Sequence, residues 1–93
     1  MDLLESVKLD LRKSSVTYLD SSITEDIEAA LEIIRSAGIK PDESDPLVVR
    51  AVKHYLRFLH DFNGEADRYK ASFDELVKTM SFSSERRLDV SEE

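Results

Sequence analysis

Residues 46–62, PLVVRAVKHYLRFLHDF, decide more about the fold than any other stretch of this chain. Projected at about 100° per residue, Leu47, Val48, Ala51, Val52, Tyr55, Leu56, Phe58, Leu59 and Phe62 fill about half of the helix circumference. Arg50, Lys53, His54, Arg57, His60 and Asp61 take the other side. A helix lying on the surface of a domain needs an apolar stripe of only about 100°. This one is therefore expected at the centre, touching at least two others. Its start is marked by Asp45, whose carboxylate can cap, and by Pro46 at the first helical position. Asn63 and Gly64 end it.

Three weaker helical patterns surround this one. From about Leu3 to Arg12, Leu3, Leu4, Val7 and Leu11 share a narrow arc, with Asp2 as a candidate cap; Leu9 points elsewhere. Residues 13–21 are polar and partly β-branched, which predicts a loop from which Tyr18 and Leu19 tuck back onto the core. Over about 22–37, Ser22 and Glu25 have the spacing of a capping box, and Ile23, Ile27, Ala30, Leu31 and Ile34 form one face. Gly38 stands where a left-handed C-terminal cap is expected, and residues 38–44 form a loop containing Pro41. Over about 65–80, Ala66, Tyr69, Phe73, Leu76, Val77 and Met80 occupy a narrow arc. The short turn at Asn63 and Gly64 makes this helix an antiparallel neighbour of the central one. The expected fold class is all-α: a small four-helix bundle-like domain over 1–80, with a long central third helix. Residues 81–93 show no sustained period and read as a flexible C-terminal tail, with Phe82, Leu88 and Val90 as apolar beads for partner docking.

Composition then narrows the chemistry. Ninety-three residues suit one domain, and the absence of cysteine excludes disulfides, thiolate zinc sites and thiol catalysis. His54 and His60 are six positions apart, about 240° around a helix, so they cannot share a metal. His60 beside Asp61 could be imagined as half of a general-base pair, but a solvated helix face explains both. No P-loop, nucleotide fingerprint, HExxH or EF-hand pattern is present, and no inward ExxH pair supports a di-iron site. No catalytic residue, cofactor or metal is expected. A net charge of −7 disfavours nucleic acid and anionic lipid as general partners, and no apolar run reaches the length of a membrane span. A soluble, cytoplasmic protein is expected.

The charges are distributed unevenly. Residues 22–38 carry Glu25, Asp26, Glu28 and Glu32 against Arg35, a net of −3. Residues 46–64 carry Arg50, Lys53 and Arg57 against Asp61, a net of +2. An acidic ridge on Glu25, Glu28 and Glu32 could meet a basic ridge on Arg50, Lys53 and Arg57 of another subunit, head to tail. Such heterologous contacts make rings when the rotation closes. The alternative is an intramolecular layer of weak surface pairs.

The order of these segments resembles the small helical head–tail connector proteins of tailed bacteriophages. The likeness covers roughly residues 2–80. It rests on Leu4, Val7, Lys8, Leu11 and Arg12 in an LxxVKxxLR segment, then on Ile23, Ile27, Ala30 and Ile34 in the second helix. It continues through Asp45, Pro46, Leu47, Val48, Ala51 and Val52 at the start of the third helix, its aromatic end from Tyr55 to Phe62, and Tyr69 and Phe73 in the last. The resemblance implies a virion-assembly protein and not an enzyme: a homo-oligomeric adaptor ring, of about a dozen copies, joining the portal protein of the DNA-filled head to a tail-side or head-completion protein. It implies a virion location, with assembly in the host cytoplasm. A second reading, from composition, is a small acidic helical module that blocks a basic partner.

Overall fold

A computed structural model describes residues 3–11, 20–60 and 64–88. Four helices make up the described chain: α1 (Leu3–Leu11), α2 (Asp20–Ser36), α3 (Pro46–Leu59) and α4 (Ala66–Ser81). The all-α, bundle-like fold class is thereby shown. Asp2, Tyr18 and Leu19, and the end of the third helix at Asp61 and Phe62, lie outside the described residues.

In α1, Leu3, Val7 and Leu11 recur every four residues and are all buried. Leu9, on the opposite side, is 42% exposed. In α2 the buried set is Ile23, Ile27, Ala30 and Ile34, the predicted face, while Leu31 is half-buried beside it. The helix starts at Asp20, two residues before the expected boundary. Ser22 therefore stands inside the first turn, and the capping role expected for it with Glu25 is corrected. The physical reason is positional: a capping side chain must precede the first turn, and Ser22 lies within it.

The C-terminus of α2 closes as its glycine requires. Gly38 adopts φ 84°, the Gly38 N–H donates to Arg35 O at 2.9 Å, and the Ile39 N–H reaches back to Ile34 O at 3.2 Å. This pair of bonds is the Schellman arrangement, and it comes with the apolar contact that usually accompanies it. Both Ile34 and Ile39 are fully buried. In the loop that follows, Asp42 accepts the Ser44 N–H and hydroxyl at 2.9 and 2.7 Å. Asp45 then caps α3 as predicted, its Oδ1 accepting the Leu47 N–H at 3.0 Å.

α3 is central, with its broadest contact to α4, a second to α2 and a smaller one to α1. It is not the longest: its 14 described residues are fewer than those of α2 or α4. Val48, Ala51, Val52 and Leu56 are completely buried on it. α4 supplies Tyr69, Phe73 and Met80, and the Tyr55 and Phe73 rings meet at 5.0 Å between centroids. The expected antiparallel course of α3 and α4 is visible in their cross-contacts, His54 to Ser72 and Arg57 to Tyr69.

The segment expected to be a loose tail folds back over residues 82–88. Ile39 and Arg87 form an isolated antiparallel bridge. The Leu88 N–H donates to Gly38 O at 2.8 Å, and the Lys40 N–H to Arg86 O at 2.7 Å. Arg86 also reaches the cap residue, its Nε donating to Asp45 Oδ2 at 2.6 Å. The correction has a simple cause: the loop after α2 leaves the backbone groups of Gly38 and Lys40 without helical partners, and the chain after α4 returns to satisfy them.

Candidate interaction surfaces

Two charged stripes with different surroundings stand out. On α2, Glu25, Glu28, Ala29, Glu32 and Ser36 fall on one helix face, at i, i+3, i+4, i+7 and i+11, and all are exposed. On α3, Pro46, Val49, Arg50, Lys53, His54 and Arg57 likewise share one face, at i, i+3, i+4, i+7, i+8 and i+11. With Asp10 of α1 they line an open groove of about 460 Å³. The predicted acidic ridge is thus a convex helix face, and the basic ridge is one wall of a concavity.

The six residues expected to carry charge at these surfaces do not stand alike. Glu25, Glu28 and Arg50 are exposed, Lys53 is half-buried, and among the described residues none of the four enters an ion pair. Glu32 lies 3.8 Å from Arg35 of its own helix. Arg57 is turned inward, which corrects its place in an outward basic ridge. Its Nε and Nη2 donate to the two oxygens of Asp10 at 2.8 and 2.5 Å, and its Nη1 donates to the Tyr69 hydroxyl at 3.0 Å. The guanidinium also stacks over the Tyr69 ring at 5.1 Å. One side chain thereby joins α1, α3 and α4, and Asp10 holds its pKa well above the ordinary arginine value.

Pattern reading missed Asp10 as a participant. It falls three residues after Val7 and seven after Leu3, on the buried arc of α1, and a carboxylate in that position calls for a cation. The groove's charge follows from this pairing: Arg57 and Asp10 neutralise each other, so Arg50 and Lys53 supply its positive potential.

The histidines are not on a solvated face. His54 is half-buried, with Nδ1 2.6 Å from the Ser72 hydroxyl and its ring edge-on to Tyr69. Burial first, then the nearby Arg57 and Arg50 charges, push its pKa below the ordinary histidine value. His60 faces Asp26 of α2 across 2.9 Å; its sequence neighbour Asp61 lies outside the described residues. Asp26 is thus partly withdrawn from the acidic ridge.

Of the three apolar beads after α4, Phe82 is 77% exposed, Leu88 is half-buried where its N–H meets Gly38, and Val90 lies outside the described residues. Among the described residues, no group of three or more His, Cys, Asp or Glu is placed to hold a metal, and no helix is long and apolar enough to cross a membrane.

Fold and surface together define a small all-α domain with a convex acidic face and a concave basic one. No family model, curated protein or solved structure matches the chain.

Proposed function

We propose that this chain is a structural subunit of an oligomeric adaptor, of the head–tail connector kind that its helix order resembles. The observation that carries the reading is the pairing of surfaces of opposite charge on different helices of one small domain: the α2 stripe of Glu25, Glu28 and Glu32, and the α3 groove of Arg50 and Lys53. A protein with two complementary but different surfaces associates head to tail, and such association closes into rings or runs on as filaments. The portal protein on one side and a tail-side or head-completion protein on the other would be its partners in a virion. No resident cofactor and no catalytic step belong to this role.

The net charge of −7 fits the same role. A channel that DNA must pass through holds it less firmly if its walls repel phosphate. The competing reading, an acidic blocker of a basic partner, uses the α2 face but leaves the basic groove without work. Electron microscopy of concentrated protein separates the two. The adaptor reading predicts closed rings of uniform diameter. A field of single particles that bind one basic protein and never self-associate would contradict it.

A further inference from the structure

The two stripes carry charges in matching register once those already engaged are set aside. Glu32 is occupied by Arg35, Asp26 by His60, and Arg57 by Asp10. Glu25 and Glu28 remain on α2, and Arg50 and Lys53 on α3; none of these four is in an ion pair among the described residues. Each pair is spaced three residues apart, a rise of about 4.5 Å along its helix. We propose that the α2 face of one copy seats in the α3 groove of a second copy, with Glu25 and Glu28 meeting Arg50 and Lys53.

This rests on the reading of the chain as a self-assembling subunit, and it names the contact. The groove has room for a helix's side chains, at about 460 Å³, and it is open to solvent along α3. Ala29 stands within the acidic stripe and lets the two helices approach closely, while Pro46 and Val49 add apolar surface to the groove lining beside the two cations. Every copy is strongly acidic, so copies repel at long range. At about 0.15 M salt the screening length is about 8 Å, which weakens that repulsion and leaves charges in direct contact effective. Exposed ion pairs are individually weak, so the contact is expected to need concentrated protein or many copies in a ring.

Two charge-reversed variants test the proposal: E25K/E28K and R50E/K53E, measured by sedimentation at concentrations up to about 1 mM, where weak contacts register. Each double variant alone is expected to associate at least tenfold more weakly than the native chain, a difference of about 1.4 kcal/mol. Mixed in equal amounts, they are expected to recover association, because lysines on one now face glutamates on the other. The single neutral changes E28Q and K53Q are expected to weaken it partially, and circular dichroism checks that all four remain helical. Native-like association of either double variant, failure of the mixture to recover, or a native chain that stays monomeric throughout this range would overturn the contact. A swap-sensitive species that stops at a dimer supports the contact and overturns the ring. Rings indifferent to every swap overturn the contact and leave the ring standing.

Discussion

Arg57 illustrates how one side chain can be claimed by the interior of a domain whose surface it was expected to serve. Its fork meets both oxygens of Asp10 and the Tyr69 hydroxyl, and both members of the ion pair are largely shielded from water. Arg57→Ala would leave the Asp10 carboxylate without its donors and is expected to cost about 2 kcal/mol in denaturant unfolding. A loss under about 0.5 kcal/mol would place the pair among ordinary surface bridges. Asp45 does a comparable double duty, capping α3 and receiving Arg86, and Asp45→Ala is expected to cost about 1 kcal/mol for the cap alone. Acid should act on stability in two stages. His54 is depressed in the folded protein, so its contribution is complete above about pH 6.5 and erodes as pH falls below the unfolded value. Asp45 is depressed by the Arg86 and Leu47 hydrogen bonds, so its contribution is present above about pH 3.8 and is lost as pH falls toward its folded value. Thermal midpoints measured from pH 8 to pH 5 should therefore decline below neutrality, and His54→Gln should flatten that decline. An unchanged slope in the variant would remove His54 as the cause.

At the scale of elements, what the sequence discloses is what repeats locally. The apolar face of α3 reads directly from Val48, Ala51, Val52 and Leu56, because each turn of helix returns the chain to the same side. Gly38 and the Asp45–Pro46 pair mark helix ends because left-handed backbone and an unpaired first turn each select particular residues. The acidic stripe of α2 is legible for the same periodic reason. Contacts between distant positions are not. Asp10 and Arg57 are 47 residues apart, and Asp45 and Arg86 are 41 apart; no local pattern records that either pair meets. The return of residues 82–88 onto Gly38 and Lys40 escapes notice for a related reason, since a single bridge has no period. That return changes an expectation about truncation. A chain ending after Ser84 loses the Leu88 and Arg86 backbone bonds to the α2–α3 loop, and its thermal midpoint is expected to drop by roughly 5 °C or more, given how far a small domain's midpoint moves per kcal/mol. A midpoint within about 1 °C of the full chain would show that the segment adds nothing to the fold.

For the molecule as a whole, the four helices supply a core and place two unlike surfaces on its outside. The groove exists because Asp10 of α1 stands across from the polar stripe of α3, and it is positive because Arg57 cancels Asp10 and leaves Arg50 and Lys53. The outer face of α2 is acidic because the helix buries isoleucines and alanine on one side and presents glutamates on the other. What each surface offers to a partner is shape and charge. The account therefore stands on self-association. Analytical ultracentrifugation across protein concentration, at about 0.15 M and then about 1 M salt, measures this directly, because the screening length falls from about 8 to about 3 Å between them. The predicted result is a concentration-dependent species of fixed, ring-sized mass at the lower salt that dissociates at the higher. A single monomer boundary at every concentration and both salts would contradict the account.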